Sequence, residues 1–289
     1  NIYNSNFTNN SATQGGANTN RNGTIEIKDS IFKQNSAVNG GANSNCNGTF
    51  YISNSTFIAN TATQNGAIIY NDDKLDIAKL TLNDNYDVNG ASIYTTQNIS
   101  MTNTVVNNTF ETYVYDNTDF ISPLIATNLP ADEDVIFTVD GKSIVVNKNT
   151  TNSIIKVIYN FTSSGIKRVN VVYPTSSNNA VIIFDVKRRD INITLNPVDD
   201  IKTLENVNII GTIKTSTGED VHGVIPITIK INDKVYSTTN IVDGKINIAV
   251  VMNSYPQGRY KITIEAPQSS AYNGANSSVE FNIVNRNAT

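Results

Sequence analysis

The feature that most constrains this chain is a repeat with a period of 25 residues in its N-terminal part. The stretch FTNNSATQGGAN begins at Phe7, FKQNSAVNGGAN begins at Phe32, and FIANTATQNGAI begins at Phe57. The phenylalanine, the asparagine three positions later and a small Gly/Ala pair recur, whereas the residues between them vary. A fixed period of this length is the signature of a repeat architecture, in which each repeat stacks on its neighbours.

The residue types within each repeat favour short strands and tight corners. Alternating apolar residues precede the phenylalanine column, as in Phe50/Ile52 and Leu75/Ile77, and this alternation is typical of a strand. We therefore predict a parallel β-helix with three short strands and three corners per coil, its coils stacked about 4.8 Å apart. An α-solenoid is the alternative, but the frequent Gly-Gly, Asn-Gly and β-branched residues argue against helices.

Stacking would place equivalent residues of successive coils above one another. An asparagine in such a column can hydrogen-bond to the asparagine of the next coil, which satisfies buried polar groups. The small pair is aligned in this scheme as Gly16-Ala17, Gly41-Ala42, Gly66-Ala67 and Gly90-Ala91. The predicted structural ladders are Phe7, Phe32, Phe57 and Leu82 in one column and Asn10, Asn35, Asn60 and Asn85 in another.

The paired motifs F-x-x-N and Gly-Gly-Ala carry a resemblance that covers residues 1–110. They resemble the repeats of chlamydial polymorphic outer-membrane proteins and of adhesin-like surface proteins of methanogenic archaea. The resemblance implies the C-terminal coils of a right-handed parallel β-helix on a cell surface. Two departures from the family pattern are Leu82 in place of phenylalanine, and Asn18 and Asn43 where the family prefers an aliphatic residue.

The 25-residue period ends near residue 116, and short alternating strands follow. Seven strand patterns between Ile191 and Ile283, with turn signals between them, predict an immunoglobulin-like sandwich. Tyr260, near the start of the sixth pattern, is a candidate tyrosine corner. We therefore predict an all-β chain with a β-helix over residues 1–115, a first Ig-like sandwich over 116–189 and a second over 190–289. The last segment resembles bacterial Ig-like domains of surface adhesins.

Composition narrows the class of protein. The 21 basic and 25 acidic residues give a net charge of −4, and no basic patch indicates a nucleic-acid partner. The single cysteine, Cys46, excludes an intrachain disulfide framework. Abundant glycosylation sequons favour an extracellular, cell-surface or cell-wall-associated glycoprotein. The candidate N-glycosylation sites are Asn6, Asn22, Asn47, Asn54, Asn98, Asn160, Asn192 and Asn276.

The sequence contains few groups of residues that could bind a ligand or a metal ion or catalyse a reaction. Tyr70 and Tyr94 lie 24 positions apart and are the candidate ligand-facing pair, because a ladder of aromatic rings can bind sugars. Asp72 and Asp73 are weak candidates for Ca²⁺, and we expect no other cofactor. A β-helix enzyme acting on carbohydrate would need converging carboxylates, for which Asp84 and Asp87 are further candidates.

We predict a non-enzymatic adhesin, in which a β-helix presents a binding face and the Ig-like domains form a stalk. Its expected partners are the surface of another cell, glycans or surface proteins. The chain begins inside a repeat, so we expect a fragment of a larger surface-anchored protein with further N-terminal coils. The alternatives are a carbohydrate-active lyase or hydrolase and a purely structural envelope stalk.

Overall fold

The computed structural model describes residues 1–88, 91–97, 99–126, 134–147 and 155–286. Within these residues the regular structure consists of strands and contains no helix, which confirms the all-β prediction. The chain forms two compact units. The first unit comprises residues 1–112, 116–160 and 165–186, and the second comprises residues 113–115, 161–164 and 187–289.

The first unit is a solenoid of stacked coils whose strands form four parallel sheets. Sheet 1 contains Ile2–Tyr3, Thr24–Lys28, Thr49–Ser53, Lys74–Ala78 and Ile99–Thr102. Sheet 2 begins with Asn6–Thr8, Ile31–Lys33, Thr56–Ile58, Thr81–Asn83 and Thr104–Tyr113. Sheet 3 contains Ser11–Gln14, Ser36–Asn39 and Thr61–Asn65. Sheet 4 contains Asn18–Arg21, Asn43–Cys46, Ile69–Asn71, Ile93–Thr95 and Leu124–Ala126.

The prediction of three strands per coil was wrong, because a complete coil contains four. The coil that starts at Thr24 turns at single residues with positive φ: Asp29 (53°), Gln34 (55°), Gly40 (66°) and Asn47 (56°). One left-handed residue reverses the chain locally without a loop, so each strand follows the previous one almost immediately. The corners at Asp29 and Gln34 are only five residues apart, and the sequence pattern did not separate them.

Within sheet 1, and likewise within sheet 2, equivalent residues of successive coils are register partners. Ile25, Phe50, Leu75 and Ile99 are successive parallel partners in sheet 1, and Phe50 and Leu75 are fully buried. In sheet 2, Phe7 pairs with Phe32, Phe32 with Phe57, and Phe57 with Leu82. Like residues therefore stack on like, and the core of the unit is built from continuous columns.

The predicted alignment of the small pair was shifted by one residue in the third coil. A register irregularity between Ala62 and Asn65 adds one position to sheet 3. As a result, Gly66 has the left-handed conformation of Gly40 (φ of 65° and 66°). Ile69 then pairs with Asn43, 26 positions earlier. The next corner is one residue shorter, so Lys74 again pairs with Thr49.

Strands from the predicted first sandwich complete the solenoid. Sheet 2 continues beyond Thr104–Tyr113 with Asn178–Lys187, Gly165–Tyr173, Asp134–Val139 and Lys142–Asn147, and these added strands pair antiparallel to one another. Leu124–Ala126 pairs in parallel with Ile93–Thr95 as the last strand of sheet 4. Thr118–Ile121 and Lys156–Tyr159 form a separate antiparallel pair.

The observed units therefore differ from the predicted division at residues 115 and 116. The last coil of a solenoid presents unpaired backbone groups, which have to be covered. Asn178 Oδ1 accepts a hydrogen bond from the Met101 amide at 2.7 Å, and Asn179 Oδ1 accepts one from the Asn103 amide at 3.1 Å. Residues 116–126 and 178–179 thus belong with the coils that they cover.

The second unit consists of two sheets. One contains Ile191–Leu195, Val207–Thr215 and Lys245–Val250. The other contains, in spatial order, Ile201–Lys202, Ala275–Val284, Gly258–Ala266, Val224–Ile231 and Lys234–Val242. All seven predicted strand patterns of this segment correspond to strands. The Tyr260 hydroxyl donates to the Pro256 carbonyl at 2.9 Å, which is the contact of a tyrosine corner.

Candidate functional site

The phenylalanine column lies in the interior of the first unit. The rings of Phe7 and Phe32 stack at 4.9 Å with an interplanar angle of 5°, and those of Phe32 and Phe57 stack at 4.8 Å and 8°. Their separation equals the spacing of adjacent strands, so each ring covers the next. Phe32, Phe57 and Leu82 are fully buried. These residues form part of the scaffold of the unit.

The asparagine column links each coil to both of its neighbours. Asn60 Nδ2 donates to Asn85 Oδ1 at 2.8 Å and to the Phe32 carbonyl at 2.9 Å. Asn60 Oδ1 accepts from the backbone amide of Asn35 at 3.0 Å and from its Nδ2 at 2.9 Å. The same contacts join Asn10 to Asn35. Every amide atom of Asn60 is thus used inside the protein, as burial demands.

Two further polar columns were not predicted. Asn20 donates to Asn45 at 2.9 Å, Asn45 to Asn71 at 2.7 Å, and Asn71 to Thr95 at 2.9 Å. Ser55 Oγ accepts from the Ser30 amide at 3.2 Å, and Ser30 Oγ accepts from the Ser5 amide at 3.2 Å. The spacing of 25 between Asn20 and Asn45 was visible in the sequence, but the shift in the third coil moved Asn71 out of the period.

Tyr70 and Tyr94 are brought together on the outer side of sheet 4. They are register partners, and their rings stack at 5.4 Å with an interplanar angle of 7°. Both side chains are half-buried. Burial raises the pKa of the Tyr70 hydroxyl above its ordinary value, and the nearby Asp72, Tyr94 and Cys46 raise it further. The Tyr70 hydroxyl therefore keeps its proton at physiological pH, and the two side chains combine apolar ring surface with hydroxyl groups.

In the coils that precede Tyr70, the residues in register with it have small side chains. The register partner of Tyr70 in the preceding coil is Ser44, and the partner of Ser44 is Thr19. Ser44 is buried. No aromatic side chain therefore continues the stack from Tyr70 along these two positions. The Ser44 hydroxyl lies within hydrogen-bonding distance of Gln14 Oε1 at 3.4 Å and of Cys46 Sγ at 3.5 Å, so it is used inside the protein.

Asp72 and Asp73 lie at the corner that follows sheet 4. Asp72 Oδ1 accepts a hydrogen bond from the Asn47 amide at 3.1 Å, which ties the corner to the previous coil. The Asp73 carbonyl accepts one from Asn71 Nδ2. Among the described residues, no three His, Cys, Asp or Glu side chains come together in an arrangement that could hold a metal ion. The observed role of Asp72 is thus to satisfy a backbone amide.

Asp84 and Asp87 line one cavity at the end of the solenoid, whereas Asp72 and Asp73 do not line it. The Asp87 carboxylate is buried, and it accepts hydrogen bonds from the amides of Gly66 at 2.8 Å and Ala91 at 3.0 Å. One oxygen is used for each amide. Asp87 therefore stabilises the segment that follows Asn83 in the fourth coil, where the described residues form no further strand of sheet 3.

The candidate glycosylation sites that the structure describes are all exposed. Asn98 lies outside the described residues. Asn22, Asn47 and Asn54 occupy corners with positive φ of 60°, 56° and 46°, a conformation that asparagine adopts more readily than most residues. The Asn54 amide also donates to the Asp29 carboxylate. No helix among the described residues is long and apolar enough to cross a membrane.

Comparison with known proteins gives no family assignment. No family model matches this chain, and no curated protein matches it. Among solved structures, fibronectin(III)-like modules of Clostridium thermocellum CbhA share 12% identity, with 61% of this chain and 90% of that chain covered and a TM-score of 0.27.

Two other solved structures are similar to the same low degree. Three N-terminal domains of the bacteriophage RB49 outer capsid protein Hoc share 15% identity with this chain. The match covers 60% of this chain and 56% of that chain, with a TM-score of 0.29. For the titin I-band fragment I67–I69, the values are 12% identity, 61% and 62% coverage and a TM-score of 0.29. At TM-scores this low, these likenesses carry no argument about the fold or role of this chain.

Proposed function

We propose that this chain is part of a non-enzymatic cell-surface adhesin, and that the outer side of sheet 4 is its binding face. The observation that carries this proposal is the in-register stack of Tyr70 and Tyr94. Tyrosine offers a large amphipathic contact area at low entropic cost, which is why it is common in recognition surfaces. Here both rings project from adjacent strands of a regular sheet, so their positions are fixed before a ligand arrives.

The proposed ligands are glycans or surface proteins of another cell. An aromatic face packs against the apolar C–H face of a sugar, while the hydroxyl and neighbouring polar side chains hydrogen-bond to its edge. Tyr70 and Tyr94 each offer a ring and a hydroxyl group for these contacts. A single contact of this kind is weak, and many copies displayed on one cell would provide avidity.

The finer description of the fold belongs to the same proposal. We propose that the coils form a right-handed parallel β-helix and that the second unit is an Ig-like domain serving as a stalk module. The support for the second part is the strand order of its two sheets and the Tyr260 hydroxyl contact to Pro256. An extracellular location is supported by the exposure of the seven candidate glycosylation asparagines that the structure describes.

The test is attachment of the complete 289-residue chain, displayed on beads, to glycan arrays and to intact microbial cells. We expect the double variant Tyr70→Ala/Tyr94→Ala to reduce binding at least tenfold. Tyr51→Ala is the matched control, because Tyr51 is an exposed tyrosine on sheet 1. Absence of binding by the native chain, or equal binding by the native chain and the double variant, would contradict the proposal; the first outcome would favour a purely structural stalk.

The enzymatic alternative depends on Asp84 and Asp87, which line a common cavity. Glycoside hydrolysis needs a pair of carboxyl groups free to exchange protons with substrate and water. Both oxygens of Asp87 accept backbone hydrogen bonds instead, which disfavours proton transfer by this residue. Release of reducing or unsaturated ends from neutral or acidic polysaccharides by the native chain, abolished by Asp84→Asn, would support the enzyme and contradict the proposed function.

A further inference from the structure

A cavity of about 440 Å³ lies in the first unit, between the end of sheet 3 and residues 117–123, which cover the last coil. Among the described residues, sheet 3 has three strands, and the following coil continues it through an isolated bridge between Tyr86 and Thr61. The space that a fourth strand would border is partly enclosed by residues 117–123. Its volume is in the range of small-molecule binding sites, which usually measure about 300–1,000 Å³.

The lining of the cavity combines apolar and polar residues. Ile182 and Phe184, which are buried, belong to the apolar lining. The remaining apolar lining residues are Val106, Ile121 and Pro123, and the polar ones include Asp84, Ser92, Asn107, Asn117, Thr118 and Asp119. Tyr86 also lines it and is half-exposed. Apolar walls with a few convergent polar groups are typical of ligand sites.

Thr118 provides an independent indication of a ligand. Its side chain is 6% exposed, and its Oγ1 has no hydrogen-bond partner among the described residues. A hydroxyl group is rarely buried without a partner, because its desolvation is then uncompensated. Neighbouring Ser122 shows the usual situation, since its buried Oγ is 2.5 Å from the Tyr173 hydroxyl. A ligand hydroxyl in the cavity would supply the partner that Thr118 lacks.

The charges of the lining select against anions. Asp84, Asp87 and Asp119 line the cavity, and no lysine or arginine is among its described lining residues. Lys156 pairs with Asp119 at 3.3 Å, and the Asp87 oxygens accept backbone amides. The carboxylates are thus held by protein groups, yet their charge still repels a carboxylate or phosphate ligand. Uronic acids, sialic acids and phosphorylated compounds are disfavoured.

We propose that this cavity binds one uncharged sugar residue, a hexose or an N-acetylhexosamine. A sugar ring carries hydroxyl groups that match the amide, carboxylate and threonine groups, and an apolar C–H face that matches the wall of Ile182 and Phe184. The ligand class follows the proposed attachment function, and to that extent the inference rests on it. The site itself uses none of the residues of the tyrosine pair.

The experiment is a titration of the full chain with methyl glycosides of glucose, galactose, mannose and N-acetylglucosamine, followed by ligand-observed NMR. Methyl glucuronide is the anionic comparison ligand. We expect one neutral glycoside to bind at least tenfold more tightly than the glucuronide. The absence of binding by every neutral glycoside, or equal binding of the glucuronide, would overturn the proposal.

Thr118→Val replaces the hydroxyl with a methyl group of the same shape. We expect it to weaken binding of the neutral glycoside at least fivefold and to leave the thermal midpoint of the free protein unchanged or higher. Thr263→Val is the matched control, since Thr263 Oγ1 is also buried without a described partner but belongs to the second unit. Binding by Thr118→Val that equals the native affinity would overturn the proposal.

Tyr86→Ala gives a second variant in case Thr118→Val fails to fold. Tyr86 is 50% exposed, so its removal should be tolerated, and we expect at least a threefold loss of affinity. Unchanged affinity in this variant would count against the site. The tyrosine pair is assessed separately: the Tyr70→Ala/Tyr94→Ala variant should bind the methyl glycoside as the native chain does. Failure of cell attachment with intact sugar binding would therefore overturn only the attachment proposal.

Discussion

The two units of this protein bury very different side chains. Among the described residues, the first unit buries eight asparagines together with several serines and threonines, whereas Thr215 is the single buried polar residue of the second unit. The eight are Asn20, Asn35, Asn43, Asn45, Asn60, Asn71, Asn85 and Asn178. The second unit instead follows ordinary alternation, as in Val207–Thr215, where buried and exposed residues strictly alternate.

Parallel stacking explains this difference. In a solenoid, each residue lies one strand spacing from the equivalent residues of the preceding and the following coil. A side-chain amide can therefore donate to the next coil and accept from the previous one. An antiparallel sandwich offers no such column, and a buried amide there would need a partner of a different kind. The interior of the first unit is therefore polar, most of its buried asparagines hydrogen-bond from coil to coil, and its stability depends on these links. The second unit depends on apolar burial between two sheets.

The largest expected effect comes from adding a methyl group where two coils are in close contact. A Cβ atom at Gly41 would lie 2.2 Å from the Ala67 carbonyl oxygen and 2.3 Å from that of Thr61, and both are backbone atoms. We expect Gly41→Ala to lower the free energy of unfolding of the first unit by about 4 kcal/mol or more. Gly218→Ala is the control in the second unit, because nothing lies within 4 Å of its added Cβ.

Gly218 has a φ of +89°, so its substitution should cost only about 1–2 kcal/mol of backbone strain. Urea unfolding, followed by hydrogen exchange of amides in each unit, measures both values. Equal costs for the two glycines would show that the coils can separate easily, which would contradict close contact between coils as a source of first-unit stability.

The second effect tests the polar column. Asn60→Ala removes four hydrogen bonds that join Asn60 to Asn35, Asn85 and Phe32, and it leaves buried groups unpaired. We expect a loss of about 3 kcal/mol in the free energy of unfolding of the first unit. Asn240→Ala, at an exposed strand position of the second unit, should change stability by less than about 0.5 kcal/mol. A cost below about 1 kcal/mol for Asn60→Ala would refute the column as a source of stability.

The third effect compares aromatic residues in the two cores. Phe32 stacks on a ring on each side, whereas Phe281 stacks on Tyr260 at 6.3 Å. Because an aromatic pair contributes about 0.5–1.5 kcal/mol beyond area burial, Phe32→Leu should cost about 1 kcal/mol more than Phe281→Leu. Both substitutions keep an apolar side chain of similar size, and Leu82 shows that the column accommodates leucine. Chemical denaturation of both variants gives the difference, and a reversed order would contradict the stacking argument.

The smallest effect concerns pH. The pKa of Tyr70 is raised above its ordinary value near 10.0, first by burial, so the folded chain keeps this proton when the unfolded chain loses it. Stability from this group is complete below pH 10 and decreases as pH rises through the folded-state pKa. We expect Tyr70→Phe to reduce the loss of first-unit stability between pH 9 and pH 11 relative to the native chain. An identical pH dependence in both proteins would exclude this contribution.

Much of the first unit was readable from the sequence because its columns repeat. The period of 25 placed Phe7, Phe32 and Phe57, and likewise Asn35 and Asn60, at equivalent positions that the structure brings into contact. The number of strands per coil was not readable, because a single left-handed residue such as Gln34 makes a corner without a glycine or proline signal. The shift at Gly66 was hidden because an added residue and a shortened corner cancel within one coil.

The candidate sites were readable only in part. The near-period of Tyr70 and Tyr94 predicted their proximity, since residues one coil apart become register partners. The cavity was not predicted, because Asp84, Thr118 and Phe184 come from three distant segments and share no motif. Asp87 could not be separated from a catalytic carboxylate by sequence, because its partners are backbone amides, which every residue possesses.

By itself, the sequence determined that the N-terminal part stacks in coils and that the C-terminal part alternates as antiparallel strands. Both follow from local periodicity, which fixes the direction of each side chain relative to its strand. Only the tertiary structure decided how the solenoid ends. Leu124–Ala126 and four strands between Asp134 and Lys187 extend its sheets, because the unpaired groups of the last coil required partners and residues such as Asn178 supplied them. Such pairing depends on contacts between residues far apart in the chain, which no local pattern records.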